Sequence, residues 1–434
     1  MQLTELNFIL NTSVEIGVNA IISGFSIDSR TLAPGSVFIA LKGEHSHGNE
    51  FIVSALEKGA IAVITDEPLE TTVPVFLVGN SFEALEKIAI YKRNAFKGTV
   101  IGVTGTAGKT TIKDALKLLL LESGKVVHAT AKNYNNHLGV PLTLANLPEN
   151  ADLLVVEMGM NAPGEIAPLS RLSRPHIGII TSIGIGHIEQ FENEVAIARE
   201  KASISEGVLE TLIIPCNLPF QNEFESFLNS SCKIVRFGGG DACVKDKNVH
   251  SDGSVDVSAV VLENKISFHL DTYSEGFINN TLILLIVAEL LGLSFDISKC
   301  RASSGRGKSY SVRINHIECT IIDDAYNANP LSMKNSLEVL SHFSNRKIAV
   351  LGDMLELGKE AELYHRDILQ HARQSADIVL TFGPIFKQIE ERTFLDVSEL
   401  KNQIKSLLKQ EDVVLFKSSH GTGLHTVVKE FLNV

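Results

Sequence analysis

Two glycines, a lysine and three threonines are packed into the stretch Gly105-Thr106-Ala107-Gly108-Lys109-Thr110-Thr111. An apolar run, Val100 to Val103, leads into it. A helix to about Leu121 leads out, with Ile112, Ala115, Leu116, Leu119 and Leu120 at helical spacing. Strand, glycine turn, Lys-Thr and helix together make a phosphate cradle. Glycines let backbone N–H groups approach an anion, and the helix N-terminus adds partial positive charge. Lys109 would reach the terminal phosphates, and the Thr110 hydroxyl would hold Mg²⁺. The strict GxxxxGK[ST] spacing is not met, because position 103 is Val. A plain strand-to-helix turn is the bland alternative; nucleoside triphosphate chemistry is the sharper one.

Two more side chains suited to such chemistry stand at the ends of apolar runs. Leu153-Leu154-Val155-Val156 ends in Glu157, and Ile177 to Thr181 runs into Ser182-Ile183-Gly184-Ile185-Gly186-His187. Open α/β sheets bind ligands at that edge. Taken singly, Glu157 has a solvated strand-end carboxylate as its lesser alternative, whereas His187 alone reads more readily as a satisfied loop histidine than as a ligand. Together with Thr110 they could supply ligands for Mg²⁺, imidazole being an unusual one.

The elements that must hold these residues alternate apolar strands and helices. Strands are predicted at 100–104, 153–157, 177–181 and 211–215, then near 319–323, 347–351, 378–382 and 413–417. Such alternation argues for parallel sheets covered on both faces. The fold class is therefore α/β with three domains: a small unit over 1–98, a central phosphate-loop domain with a parallel sheet over 99–308, and a Rossmann-like domain over 309–434. Ser303-Ser304-Gly305-Arg306-Gly307 has the composition of a hinge. The polar, Gly-rich stretch 236–256 reads as a surface excursion.

Composition narrows the class. A chain of 434 residues suits about three domains, and 44% hydrophobic with 21% charged residues is ordinary for a globular protein. A formal net charge of −12 argues against broad nucleic-acid binding. The five cysteines form no CxxC pair, which fits a reducing compartment. MQLTELNFIL lacks the basic and long apolar regions of a signal peptide, and Leu282 to Leu293 is too short to span a bilayer.

Longer matches carry a family resemblance. Gly105 to Thr111 fits a GTxGKTT variant of the phosphate loop. Asn133-Tyr134-Asn135-Asn136-His137-Leu138-Gly139-Val140-Pro141 and Glu157-Met158-Gly159-Met160-Asn161 with Gly164-Glu165-Ile166 fit two further blocks. Asp323-Asp324-Ala325-Tyr326-Asn327-Ala328-Asn329-Pro330 and Leu351-Gly352-Asp353-Met354-Leu355-Glu356-Leu357-Gly358 are more specific still. On these the chain resembles the Mur ligases, ATP-dependent amide-forming enzymes of peptidoglycan precursor synthesis, over nearly its whole length. The last two blocks are closest to the members that add D-alanyl-D-alanine.

The resemblance implies ATP and two Mg²⁺ ions. Lys109 would act on the β- and γ-phosphates, with Gly105, Thr106, Ala107, Gly108, Thr110 and Thr111 forming the cradle. Thr110 and Glu157 would hold one Mg²⁺ and His187 the second. Lys201, by itself a solvated helix lysine, would be carbamylated into a carboxylate-like ligand. Asn280, at a helix start, would contact adenine, and Arg306 would approach the γ-phosphate as the domains close. Asp324 or its neighbour Asp323 would contact the ribose, with Tyr326, Asn327 and Asn329 lining the same cleft. Asn135 and Asn136 would face substrate, and Ser29 and Arg30 would hold the UDP end.

Four places depart from the family pattern. Lys201-Ala202-Ser203-Ile204 replaces Lys-x-Glu-Ile, and Glu275-Gly276-Phe277-Ile278-Asn279 lacks a histidine before the adenine asparagine. Lys417-Ser418-Ser419-His420 lacks the arginine of Lys-Gly-Ser-Arg, and His47-Gly48-Asn49 stands for Asp-Gly-His.

The implied reaction phosphorylates a substrate carboxylate and lets an amine displace the phosphate. The implied substrates are UDP-N-acetylmuramoyl-tripeptide and D-alanyl-D-alanine, used by a cytoplasmic monomer with no nucleic-acid partner and no membrane span. One alternative is the same fold with another amine, as in the ligase adding the third amino acid or a folylpolyglutamate synthetase. The Asp-Asn-Pro-Arg segment of diaminopimelate-adding members is absent from the sequence. The more distant alternative is a nucleotide-dependent switch.

Overall fold

The structure is a computed structural model and describes residues 1–43, 46–229, 231–250, 253–300 and 305–432. It contains three sheets. The first is parallel and orders Phe25–Ser26, Val37–Ile39, Ala62–Thr65 and Val75–Leu77. Its middle strands are buried along their whole length, as expected when helices cover both faces.

One of the covering helices comes from far along the chain. Leu142 and Ala145, on the helix Gly139–Ala145, pack into the core formed by Leu3, Leu6, Phe76 and Leu85. The Asn146 side chain then pairs with the first strand as a neighbouring backbone would. Phe25 N–H donates to Asn146 Oδ1 at 2.8 Å, and Asn146 Nδ2 donates to the Phe25 carbonyl at 3.0 Å. A second tie joins buried Arg93 to the carbonyls of Ser173 and Arg174. The first unit is thus stitched to the second.

The central sheet has nine strands in the order Asn264–Leu270, Val255–Val261, Ala242–Val249, Lys233–Phe237, Thr211–Pro215, Ile177–Ile180, Thr99–Thr104, Leu153–Glu157 and Val127–Ala129. Successive residues of its inner strands feed opposite cores. Val100, Leu154 and Val156 face one, and Ile101, Val103 and Val155 the other. The helix Lys109–Glu122 buries Ile112, Leu116, Leu119 and Leu120 against the second core, so its N-terminus is fixed at the sheet's carboxyl edge. The surface excursion expected over 236–256 is corrected here. Ala242–Val249 and Val255–Val261 are strands, paired antiparallel to each other and onward to Asn264–Leu270. Val255–Val261 alternates buried and exposed residues, whereas Ala242–Val249 is exposed from Lys245 onward, which disguises it as loop in the sequence.

The last sheet orders Lys308–Ile314, Ile317–Asp324, Val413–Lys417, Lys347–Gly352 and Ile378–Phe382. The first pair is antiparallel and the rest parallel, with apolar cores on both faces. Of the expected hinge, Ser303 and Ser304 lie outside the described residues. Gly305 and Gly307 have φ of +74° and +87°. Among the described residues no helix is long and apolar enough to cross a membrane.

Candidate active site

The phosphate loop crosses the central sheet where two glycines are sterically required. A Cβ on Gly105, at φ +146°, would stand 2.0 Å from Thr181 Oγ1, and Gly108 has φ +86°. The loop is braced from the next strand end: Thr106 N–H donates to the Ser182 carbonyl and Ala107 N–H to Ser182 Oγ, both at 2.9 Å. Lys109 folds over the loop, its Nζ donating to the Gly105 carbonyl at 2.7 Å. Burial, with Arg306 nearby, pushes its pKa below the ordinary lysine value against the pull of Glu157.

Above the loop lies a cavity of about 500 Å³. Thr106 through Thr111, Glu157 and His187 line it from the central sheet. Asn135 and Asn136 enter from one side, and Asn280 and Arg306 from another. Asp324, Tyr326, Asn327 and Asn329 close it from the last sheet. Residues spread over more than two hundred positions therefore meet at one place.

Glu157 is 1% exposed. Its Oε1 accepts from Thr110 Oγ1 at 3.0 Å and Asn135 Nδ2 at 2.9 Å, while its Oε2 is buried without a hydrogen-bond partner. A buried carboxylate oxygen left unsatisfied is costly. Its position beside a threonine hydroxyl and a phosphate loop fits a hard divalent cation, so Thr110 and Glu157 could hold Mg²⁺. His187, at φ +56°, turns its Nδ1 to Glu356 Oε2 at 2.5 Å. Burial, aided by Lys109 and Lys201, pushes the imidazole below its ordinary pKa despite Glu356. A neutral ring is the form that ligates metal.

Several expected residues are placed differently from their assigned roles. Lys201 is 3% exposed, so the solvated-lysine reading is corrected. It lies under the cavity with Nζ 3.8 Å from Met160 Sδ, and Met160 is in the cavity wall. Burial, then repulsion from Lys109, lowers its pKa well below the ordinary value. Asn280 lies inside the helix Glu275–Leu291, which Ser274 caps, rather than at its start. Its Oδ1 would be 3.1 Å from a Cβ on Gly108, so it touches the phosphate loop.

Of the two aspartates, Asp324 is in the cavity wall. Asp323 instead braces the hinge, its Oδ2 accepting from Gly305 N–H at 2.7 Å. Asn135 supports Glu157, and Asn136 Oδ1 accepts from Gly139 N–H at 3.0 Å at the start of the stitching helix. Ser29 is buried. Arg30 is exposed and pairs with Asp28 through two 2.9 Å hydrogen bonds, within electrostatic reach of Tyr134 but outside the cavity.

The four departures from the family pattern have these surroundings. Glu200, before the lysine, accepts from Gly164 N–H at 2.7 Å and Ile166 N–H at 2.8 Å, anchoring the helix that carries Lys201. A Cβ on Gly276 would stand 2.8 Å from Asn335 Nδ2. Asn335 therefore occupies the side of the cavity where a histidine was expected. His420 packs edge-on to Tyr326 at 5.6 Å and stacks on His425 at 4.1 Å, while Arg306 lies 4.5 Å over the Tyr326 ring. His47 Nε2 is 3.0 Å from Asp66 Oδ1.

Sequence reasoning missed Asn335 and gave no role to Lys417. The Lys417 Nζ donates to Asp324 Oδ2 and the Asn327 carbonyl, both at 2.8 Å, fixing the cavity's far wall. Its position at a strand end was the available signal. Nothing in the sequence singles out Asn335, which arrives on a helix face of another unit. Asp353, in a family-like block, caps a helix instead: its carboxylate accepts from Ile385 and Phe386 N–H at 2.8 and 2.9 Å.

A three-unit chain with a phosphate loop facing the wall of another unit across one cleft defines a nucleotide-using enzyme. Three family models match it: the Mur ligase family catalytic domain over 21–98, the Mur ligase middle domain over 103–288, and the Mur ligase glutamate ligase domain over 312–420. The chain belongs to the Mur ligase family of ATP-dependent amide ligases. It is 31% identical to the UDP-N-acetylmuramoyl-tripeptide–D-alanyl-D-alanine ligase of Rickettsia prowazekii, over 96% of each chain. The structure is similar to MurF of Acinetobacter baumannii, with a TM-score of 0.88, 26% identity, and 99% and 98% of the two chains covered. It is also similar to the MurF ligase of Thermotoga maritima in complex with ADP, with a TM-score of 0.82, 29% identity, and 94% and 97% covered.

Proposed function

We propose that this protein uses ATP to join D-alanyl-D-alanine to the terminal carboxylate of UDP-N-acetylmuramoyl-tripeptide. The observation that carries the reading is the single cavity in which the phosphate loop, Glu157 and the Tyr326–Asn329 wall face one another. The carboxylate attacks the γ-phosphorus, giving an acyl phosphate and ADP. The amine of the dipeptide then attacks the acyl carbon, and inorganic phosphate leaves as the amide forms.

The first step brings two anions together. Lys109 and Arg306, both lining the cavity, offset that repulsion and orient the transferring group. Asn280 beside the loop, and Asp324 held by Lys417, are placed to grip the nucleoside. Thr110 and Glu157 would hold one Mg²⁺, with His187 and a carbamylated Lys201 as ligands of a second. Bound Mg²⁺ supplies further charge neutralisation. The low pKa of Lys201 supports carbamylation, since only an uncharged amine reacts with carbon dioxide. Closure of the last unit on the loop excludes the water that would hydrolyse the acyl phosphate.

The test is ADP release by purified protein with UDP-N-acetylmuramoyl-tripeptide, ATP and Mg²⁺. Release should require D-alanyl-D-alanine and match amide formed one for one. Equal release without the dipeptide would make the protein an ATPase or switch. Stimulation by a different amine would reassign the acceptor.

A further inference from the structure

Away from the cavity, three side chains meet on the solvent face of the antiparallel strands. Asp256 and His269 are directly opposed across the ladder between Val255–Val261 and Asn264–Leu270, and both are exposed. His250 follows the end of Ala242–Val249. Its turn is closed by His250 N–H donating to the Ser254 carbonyl at 2.9 Å and Gly253 N–H donating to the His250 carbonyl at 3.0 Å. The Asp256 carboxylate sits between the rings: His250 Nε2 is 2.8 Å from Oδ2, and His269 Nδ1 is 2.7 Å from Oδ1. One ligand atom from each of the three residues lies within 4.8 Å of the other two. None of the three lines the phosphate cavity.

We propose that His250, Asp256 and His269 form a second, independent cation site, selective for a zinc-class transition metal. Two imidazole nitrogens and one carboxylate oxygen suit Zn²⁺, Ni²⁺ or Cu²⁺, whereas Mg²⁺ prefers an all-oxygen shell. Three protein ligands leave a fourth position for water. Both rings now donate to Asp256. On loading, each ring would turn a bare nitrogen toward the metal and carry its remaining proton on the outer nitrogen. The outer nitrogen of His269, Nε2, then points toward Asp271 Oδ1, 4.0 Å away. A carboxylate behind a ligating imidazole fixes the tautomer and raises ligand basicity. Metal–ligand bonds of about 2.0–2.2 Å place neighbouring tetrahedral ligands roughly 3.3 Å apart. The contacts to Asp256, now 2.8 and 2.7 Å, must therefore lengthen by about half an ångström, and the two ring nitrogens, within 4.8 Å of each other, must settle at that same spacing; Asp256 and His269 are exposed and His250 is half-buried just past a strand end, so side-chain rotation can make the change.

Calorimetry with ZnCl₂ tests the site, using full-length protein stripped by chelator and held in excess Mg²⁺. A single saturable equivalent is expected, weakened at least about tenfold in His269→Ala and in Asp256→Asn. Both variants should retain the wild-type rate in Mg²⁺, which shows that they fold. X-ray absorption of the loaded protein should carry imidazole scattering from two rings. Identical isotherms for wild type and both variants, or no saturable uptake, would overturn the proposal. Uptake that disappears only with His420→Ala would move the site elsewhere and overturn it equally.

Discussion

Lys109 and Glu157 illustrate how the cavity stores its chemistry in single atoms. The Glu157 Oε2 has no partner, and the Lys109 ammonium is parked on a loop carbonyl that a phosphate oxygen would replace. Lys109→Ala should lower kcat on the order of 100-fold or more; an unchanged single-turnover rate would remove Lys109 from the mechanism. A second residue ties the fold to pH. His365 is fully buried, receives the Met354 N–H at Nε2 at 2.9 Å and faces the Ala361 carbonyl with Nδ1 at 2.6 Å. A carbonyl only accepts, so Nδ1 carries the proton, and Nε2 must be bare to accept from Met354. Burial accordingly lowers the His365 pKa below its ordinary 6.5. The unfolded chain takes up a proton below that value while the folded chain does not, so this contribution to stability is lost as pH falls below 6.5 toward the folded pKa. Denaturant unfolding from pH 7 to pH 5 should show a shallower fall in His365→Gln than in wild type, at some loss of stability throughout. These two residues also mark the limit of legibility. Lys109 announces itself through a spacing, whereas His365 and Lys201 owe their character to burial, and burial is a property of elements distant in sequence.

The helix Lys109–Glu122 holds the phosphate loop only because four apolar side chains anchor it. Leu116 is fully buried. Leu116→Ala should destabilise by about 2–5 kcal/mol, seen as a lower denaturant midpoint, and should raise KM for ATP as the loop loosens. A midpoint shift with no change in KM would separate the helix's packing from its role in binding. This element was readable from its 3.6-residue period, as were the buried strands from their unbroken apolar runs. Thr211–Pro215, Ile378–Phe382 and Val413–Lys417 fall where the runs placed them. The strands between Ala242 and Leu270 were not all readable. Lys245, Asp246, Lys247 and Asn248 face water on an outlying strand, so no apolar alternation betrays them. The start of Glu275–Leu291 was missed because its first turn carries Glu275 and Gly276, and its cap, Ser274, lies in a polar stretch.

At the scale of the molecule, Glu356 and Gly358 bring the last unit against the segment that carries His187. Glu356 pairs with His187, and a Cβ on Gly358, at φ +60°, would stand 3.3 Å from Glu189 Cα. Gly358→Val should displace the closing wall by a fraction of an ångström or more. Amide formation should fall on the order of 100-fold while calorimetric affinity for ADP stays near wild type; an unchanged kcat would show that closure does not use this contact. The stitching of the first unit has a consequence of another kind. Leu142, Ala145 and Asn146 complete a core and a sheet edge for residues that precede them by more than fifty positions. A fragment ending at residue 98 would expose that core and leave the Phe25 backbone unpaired. Three sheets therefore make two cooperative units. Scanning calorimetry should resolve at most two transitions, and a protease cutting after Ser304 should release one fragment that still folds from Met1 onward. The first unit is a lodger in its neighbour's architecture, inherited, duplicated or lost only together with it.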